Sequence, residues 1–447
     1  MKWLRLPLAL LALLVLPVVL SPSLLNAAVQ MLIAVLFASA FNVLSGQGGM
    51  LSFGHAAYFG IGALATVHAM GVAGVASVLP TPLLPLAGGG AGFLLGVAAG
   101  WFSTQRSGVY FSMITLALAE LLLALAPHLS GFFGGEAGVS SMRMPAWGFS
   151  FESVIQVYYL TLAWVLLSLV LLYFYTRTPV GRLTLALREN SQRLRFLGYE
   201  VHRLRVLVFA ISAMFSGVAG GLLAVSNETA NYVLFDMHYS ATVVLNTYIG
   251  GVSVFLGPAL GAAVMTFFGY AVSDLTRSWL LYQGGLFVLV MIFMPSGITG
   301  LVRWWAERRA KHSISELLPA LCTTFVAAVF VVAGTVFTVE IAQRIFAEEY
   351  RALIALAGPG SWPPLRAFGR AWSPVSLRTW AIPVVLPTLG ALTGKAARSC
   401  WRRLDDSTYA LPVELQTPPH DGQMSEPTAR GAAATISLET LNKTEEK

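Results

Sequence analysis

Charge is the scarcest commodity in this chain. Asp, Glu, Lys and Arg together make up 11% of its 447 residues, less than half of the roughly 25% usual for a soluble domain. With 56% hydrophobic residues, too little polar surface remains to cover a water-soluble fold, and that class is excluded. Cysteine is nearly absent too: Cys322 and Cys400 are too few for a disulfide framework and have no metal-ligand spacing. No hydrolase motif, redox pair or metal cluster occurs. The nearest phosphate loop, GALTGKA at 390–396, is one residue short between its glycines and offers Ala396 where a hydroxyl would hold magnesium. The chain is therefore expected to be no enzyme, to carry no cofactor or metal of its own and to leave ATP to others. A cleavable leader is not expected either. Pro17 and Pro22 are followed by no small-x-small site, so residues 6–20 are read as a first membrane helix.

What the chain has in abundance is apolar runs that approach the ~20 residues needed to cross a bilayer, among them 84–102, 109–127, 156–175, 206–225 and 280–294. The densest basic stretch is 176–205, which the positive-inside rule places in the cytoplasm. Walking back from it, crossings at 156–175, 109–127, 84–102, about 49–70, 29–45 and 6–20 put the loop 128–155 outside, Arg106 inside, the charge-free loop 71–83 outside and Lys2 and Arg5 inside. Walking forward, 206–225 exits near Glu228 and Asp236, two short crossings at about 240–255 and 257–273 lead to an outer Arg277, and 280–294 returns before Arg303, Arg308, Arg309 and Lys311. The predicted fold class is all-α: a polytopic helical membrane protein of about ten core crossings with interrupted helices. One extra C-terminal crossing is allowed by 317–339, which would leave the tail outside. Residues 381–394 are broken by Pro383 and Pro387 and read as irregular or interfacial, and 403–447 reads as disorder.

Glycine is concentrated in two places. In NVLSGQGGMLSFGHAAYFGIGA, residues 42–63, Gly46, Gln47, Gly48 and Gly49 ask for a helix break. Gly54 and Gly60, which bracket Ala56 and Ala57, offer a small-residue surface for another helix. A similar cluster, Gly250, Gly251, Gly257 and Pro258, separates two short apolar pieces in the second half. Interrupted segments in both halves point toward a transporter's central pathway. His55 is either a gating residue beside the break or an imidazole bracing a neighbouring helix, and bracing is favoured. Glu120, an intramembrane carboxylate, is open between a structural hydrogen bond and lining the pathway. Asn42, Asn227 and Asn246 are open in the same way. The basic loop interleaves its arginines with Val180, Leu183, Leu187 and Leu194. That pattern fits a short cytoplasmic helix docked on another protein, not a nucleic-acid site.

Taken together these stretches resemble the membrane permeases of branched-chain amino acid ABC importers, the LivM-type half, which is closely related to the urea-importer permeases. The resemblance rests on residues 42–63, on YFSMITLALAE at 110–120, on TPVGRLTLALRENS at 178–191 with 210–221, on IGGVSVFLGPALGA at 249–262 and on 294–301, in family order over about 30–303. It implies a permease domain at 1–303; the linker with an extra transmembrane helix at 304–342 and the partly disordered extension at 343–447, read from the residues, extend beyond the family core and carry no functional assignment. It implies a second homologous permease, two cytoplasmic ATP-binding subunits and an extracytoplasmic substrate-binding protein as partners, with the chain spanning the inner (plasma) membrane of a bacterium. Residues 178–200 become the element that couples to the ATPase, and Gly181, Arg182, Arg188, Glu189 and Asn190 match its pattern. Gln47, Gly48, Gly49, His55, Glu120, Gly250 and Gly251 become pathway or helix-break candidates.

Two departures from the family pattern stand out: the outer loop reads GFFGGEAGVS where a Ser/Thr-Gly-Gly run is usual, and the methionine usual before the second glycine pair is replaced within LNTYIGG. The implied function is transport of leucine, isoleucine and valine. The runner-up is a urea or short-chain amide importer permease. A non-transporting membrane scaffold and a secondary transporter are the readings of other classes.

Overall fold

A computed structural model of the chain describes residues 5–72, 79–273, 276–294, 296–357 and 362–409. The architecture follows from the apolar runs. Helix α1 (Arg5–Val19) leads into α2 (Pro22–Asn42), which Pro22 opens at the first turn, where its missing N–H costs nothing. Then come α3 (Ala56–Gly71), α4 (Pro85–Ser103) and α5 (Val109–Leu125). Helix α6 (Val154–Arg177) ends at Thr178, whose hydroxyl caps α7 (Pro179–Glu189) by accepting from Gly181 N–H at 3.1 Å. Asn190 caps α8 (Ser191–Phe196) in the same way. The long α9 (Val201–Asn227) follows, then α10 (Met237–Gly250), α11 (Gly257–Ser273), α12 (Trp279–Phe293) and α13 (Gly297–Lys311). Last come α14 (Ile314–Phe346), α15 (Glu348–Ala357) and α16 (Leu377–Tyr409). Two two-stranded ladders are present: β1 (Val139–Ser140) with β2 (Thr229–Ala230), and β3 (Leu365–Ala367) with β4 (Arg370–Trp372).

Helices α2 and α9 form the centre, each with 83% of its most apolar window buried. Helix α9 packs on α4, α3 and α2, and α2 also meets α6 and α11. The approach of α3, α4 and α9 is set by small residues: a Cβ on Gly88 would lie 2.6 Å from the Gly217 carbonyl oxygen and 2.8 Å from that of Gly62. In a bilayer, where lipid tails are as apolar as leucine, such backbone contact supplies the dispersion that holds helices together.

Among the described residues six helices are long and apolar enough to cross a membrane, or seven if α12 and α13, bent by 47°, count as one span. The remaining predicted crossings are the shorter helices α1, α3, α10 and α11; the glycine-rich breaks delay the start of α3 to Ala56 and end α10 at Gly250. The outer loops meet as the charge pattern requires. Arg143 pairs with Glu228 at 2.9 Å beside the β1–β2 ladder.

Three expectations are corrected. Residues 381–394 are not irregular: α16 runs unbroken through Pro383 and Pro387, and Gly334 of α14 leaves the space that the Pro387 ring occupies. Residues 403–409, read as disordered, are the last turns of that helix; 410–447 lie outside the described residues. The coupling stretch is two capped helices, α7 and α8, instead of one.

Candidate functional site: two helix breaks, a coupling helix and an outer chamber

The first break starts where α2 widens into a π-turn, Val43–Gln47. Gly48 follows, then Gly49 at φ 66°, in the left-handed region that an L side chain resists. The second break lies between α10 and α11, where Gly251 has φ 101° and Thr299 donates to the Gly250 carbonyl at 3.0 Å. The two breaks touch. A Cβ on Gly46 would sit 3.0 Å from the Val252 carbonyl oxygen, and Ser45 Oγ lies 3.2 Å from the Tyr248 hydroxyl.

Helix α7 reaches this junction. Arg188, in the last turn of α7, donates from Nη1 to the Gly46 carbonyl, and Gly49 gives its side chain room: a Cβ there would lie 2.9 Å from Arg188 Cγ. A cavity of about 740 Å³ opens beside it, walled by Gly48, Gly49, Arg106, Glu189, Asn190 and Arg205 among others. Gly181 is buried at the start of α7, where a Cβ would strike the Tyr175 carbonyl. Thr184 and Leu187 face inward, and Arg182, Leu185 and Glu189 are exposed. Phe196 of α8 is 90% exposed. Gln47 is half-buried at the break, with its Oε1 unpartnered.

His55 is completely buried and stands apart from the Arg188 contact. Its Nε2 lies 2.8 Å from Ser212 Oγ, and that hydroxyl donates its one hydrogen to the Ala40 carbonyl at 2.7 Å. The imidazole must therefore donate from Nε2, joining α2, α3 and α9 through a single hydroxyl. Phe41, Tyr58 and Phe209 surround the ring edge-on. These contacts tie α2, α3 and α9 together at the ring. Glu120 does not join the cluster either: it sits on the exposed face of α5, near exposed Met113 and Leu121.

A second cavity, of about 370 Å³, lies toward the opposite end, between α2, α3, α9, α10 and α11. Gln30, Asn227, Asn231 and Asn246 supply amides, Thr242, Thr266, Tyr239 and Tyr270 hydroxyls, and Phe37 and Phe59 an aromatic wall. The Gln30 amide donates to Asn227 at 3.3 Å, and the two rings lie 4.7 Å apart. Asn246 is 3% exposed, and its Oδ1 has no protein partner. Among the described residues that line this chamber none is a carboxylate or a cation, a lining that suits a small amphipathic or net-neutral solute.

The family model described as "Branched-chain amino acid transport system / permease component" matches residues 23–295. The chain belongs to that family. The high-affinity branched-chain amino acid transport system permease protein LivM of Salmonella typhimurium is 28% identical over 311 residues, covering 64% of this chain and 72% of the relative. LivM of Escherichia coli matches to the same extent, and a probable LivM of Methanocaldococcus jannaschii is 26% identical over 46% of this chain and 64% of its own. The xylose transport system permease protein XylH of Escherichia coli is similar over a shorter stretch, 29% identical across 30% of this chain and 36% of its own. No solved structure matches.

Residues 23–295 of this branched-chain amino acid permease family member hold both breaks, α7 and the chamber. Among the sequence candidates, the structure brings Gly48, Gly49, Arg188, Glu189 and Asn190 to one cavity, sets Gly250 and Gly251 beside it, and leaves His55 and Glu120 elsewhere. Arg182 and Gly181 belong to α7 without touching that cavity. Asn227 and Asn246 line the outer chamber; Gln30, Thr242 and Tyr239 were missed. Their one sequence signal was a polar side chain within a membrane helix, which does not say which way that side chain faces.

Proposed function

We propose that this permease carries leucine, isoleucine and valine across a bacterial inner membrane as one half of the channel of an ATP-driven importer. A second, homologous permease completes the channel, two cytoplasmic subunits bind and hydrolyse ATP, and an extracytoplasmic binding protein delivers the solute. The nucleotide is held by those partners, with no cofactor in this chain. The single observation that carries this reading is the Arg188–Gly46 contact. It ties an exposed cytoplasmic helix to the meeting point of both helix breaks, so a push on α7 is transmitted to the segments that must shift for alternating access.

The exposed face of α7 and α8, with Arg182, Glu189 and Phe196, offers the apolar and charged mixture of a protein-docking surface. Glu120 supports a permease partner: a carboxylate on the exposed face of a crossing helix is costly against hydrocarbon and cheap against a second subunit or water. The chamber supports the substrate class, since amides and hydroxyls can bind the two charged ends of a zwitterion while Phe37 and Phe59 meet an aliphatic side chain.

The amide lining would serve urea equally, and this keeps a urea or short-chain amide importer as the second reading. Uptake in proteoliposomes holding the full complex separates them. Saturable, ATP-dependent uptake of branched-chain amino acids supports the first reading, uptake of urea alone replaces it with the second, and uptake of neither removes both substrate assignments.

A further inference from the structure

The region beyond the family match has its own architecture. Helix α14 carries the uncharged run 317–339, about 34 Å of helix at 1.5 Å per residue and long enough for a hydrocarbon core of roughly 30 Å. Its far end is fixed on the outer side, because Glu340 accepts hydrogen bonds from Thr276 and Tyr282, and Gln343 Oε1 accepts one from Ser278 at 2.5 Å. Those partners flank Arg277, in the outer connection between α11 and α12.

Helix α16 then comes back along α14. Ile382 packs with Phe337, the Pro387 ring sits over Gly334, and Gly390 lies against Val331 and Ala327. Trp401 donates from Nε1 to Thr324 at 3.0 Å. The pairing steps down α14 as it steps up α16, so the two are antiparallel and share one depth range. The uncharged part of α16, 379–394, gives only about 24 Å. Long basic side chains at its end extend such a span by reaching the interface. Val384, Val385 and Leu392 of α16 and Phe325, Val329 and Val332 of α14 stay exposed, as lipid-facing residues do.

At the near end the cations gather. Trp401 meets Trp304 of α13 at 5.2 Å, and the Arg308 guanidinium stacks on both rings. Around this contact α13 exposes Arg303, Arg309 and Lys311, and α16 exposes Lys395, Arg398, Arg402 and Arg403. The acids nearby are Glu307 and Glu316, with Asp405 and Asp406 following in sequence, so the cluster is net positive. The opposite end, with Glu348 and Glu349 beside Arg351, Arg366, Arg370 and Arg378, is mixed.

We propose that α14 and α16 form a two-crossing membrane hairpin that returns the chain to the cytoplasm, where its basic end and that of α13 bind anionic phospholipid head groups. Clustered Lys and Arg directly below a crossing are attracted to an anionic leaflet by about 1 kcal/mol each. This assignment places the C-terminal segment inside, against the expectation of an outer tail that a lone crossing at 317–339 gives.

Two experiments on the full-length protein test it. In a Cys322→Ser, Cys400→Ser background, Val375→Cys should react with a membrane-impermeant maleimide on intact cells, and Lys447→Cys only after permeabilisation. Labelling of Lys447→Cys on intact cells, or protection of Val375→Cys, overturns the hairpin. Protein purified from mixed phosphatidylglycerol and phosphatidylcholine should retain phosphatidylglycerol preferentially. Lys395→Glu, Arg398→Glu, Arg402→Glu and Arg403→Glu together should abolish that preference, and the corresponding Gln series should weaken it with less risk to folding. An unchanged preference in a variant whose labelling pattern is native overturns the lipid assignment.

Discussion

Ser212 does more than its size suggests, because its one hydroxyl receives His55 and holds Ala40. Ser212→Ala should leave the Nε2 hydrogen of a completely buried imidazole without an acceptor. Interhelical hydrogen bonds in membranes are worth about 1 kcal/mol, so the variant should unfold at lower temperature in detergent by that order and still transport; loss of transport with unchanged stability would return His55 to a gating role. Gly54 is a steric case. A Cβ there would collide with the Thr115 carbonyl, and backbone gives way less than a side chain does. Gly54→Leu should cost ~1–3 kcal/mol through overpacking. A thermal unfolding curve matching the native one would contradict the close approach of α3 and α5. The need for small residues at 54 was legible in the sequence. Which atom they make room for was not.

The element that matters most is α7. Its capping Thr178 and Pro179, its buried Thr184 and Leu187 and its exposed Arg182 and Glu189 follow from local sequence. Glu189→Arg, or deletion of 181–190, should leave the protein inserted while separating ATP hydrolysis from uptake; normal uptake per ATP would remove the coupling assignment. Arg188→Ala is the sharper probe, since it leaves the docking face in place and cuts the link to Gly46. It should lower the uptake rate several-fold with little change in ATPase-subunit binding. Weakened subunit binding as the main effect would move Arg188 from transmission to docking. The broken helices were legible as glycine clusters, and their lengths were not. Glycine permits a stop without dictating whether the chain turns, widens into a π-turn or runs on, and α2 takes the second course through Val43–Gln47. Proline misled in the other direction: α16 keeps its helix through Pro383 and Pro387 because α14 supplies a groove at Gly334.

For the whole molecule, the family match covers 23–295, and the hairpin beyond it touches that core through the connection at 276–282 and through α13. A chain ending at Lys311 should therefore insert and support uptake at a rate similar to the full protein, with a weaker preference for anionic lipid, since only the α13 cations remain. Failure of uptake with normal insertion would make the hairpin part of the transport cycle. By itself the sequence determined the solvent and the family, and it set an expectation for the side of the membrane on which each charged loop lies. Those rest on sums along the chain, apolar length and arginine placement, which do not depend on what packs against what. Tertiary structure decided the rest: that the two glycine breaks meet, that Arg188 reaches one of them, that Glu120 faces outward and that amides from α2, α9 and α10 share one chamber. These are relations between residues far apart in the chain. The rotation of each helix about its axis settles them, and in segments apolar on nearly every face the pattern of residues does not fix that rotation.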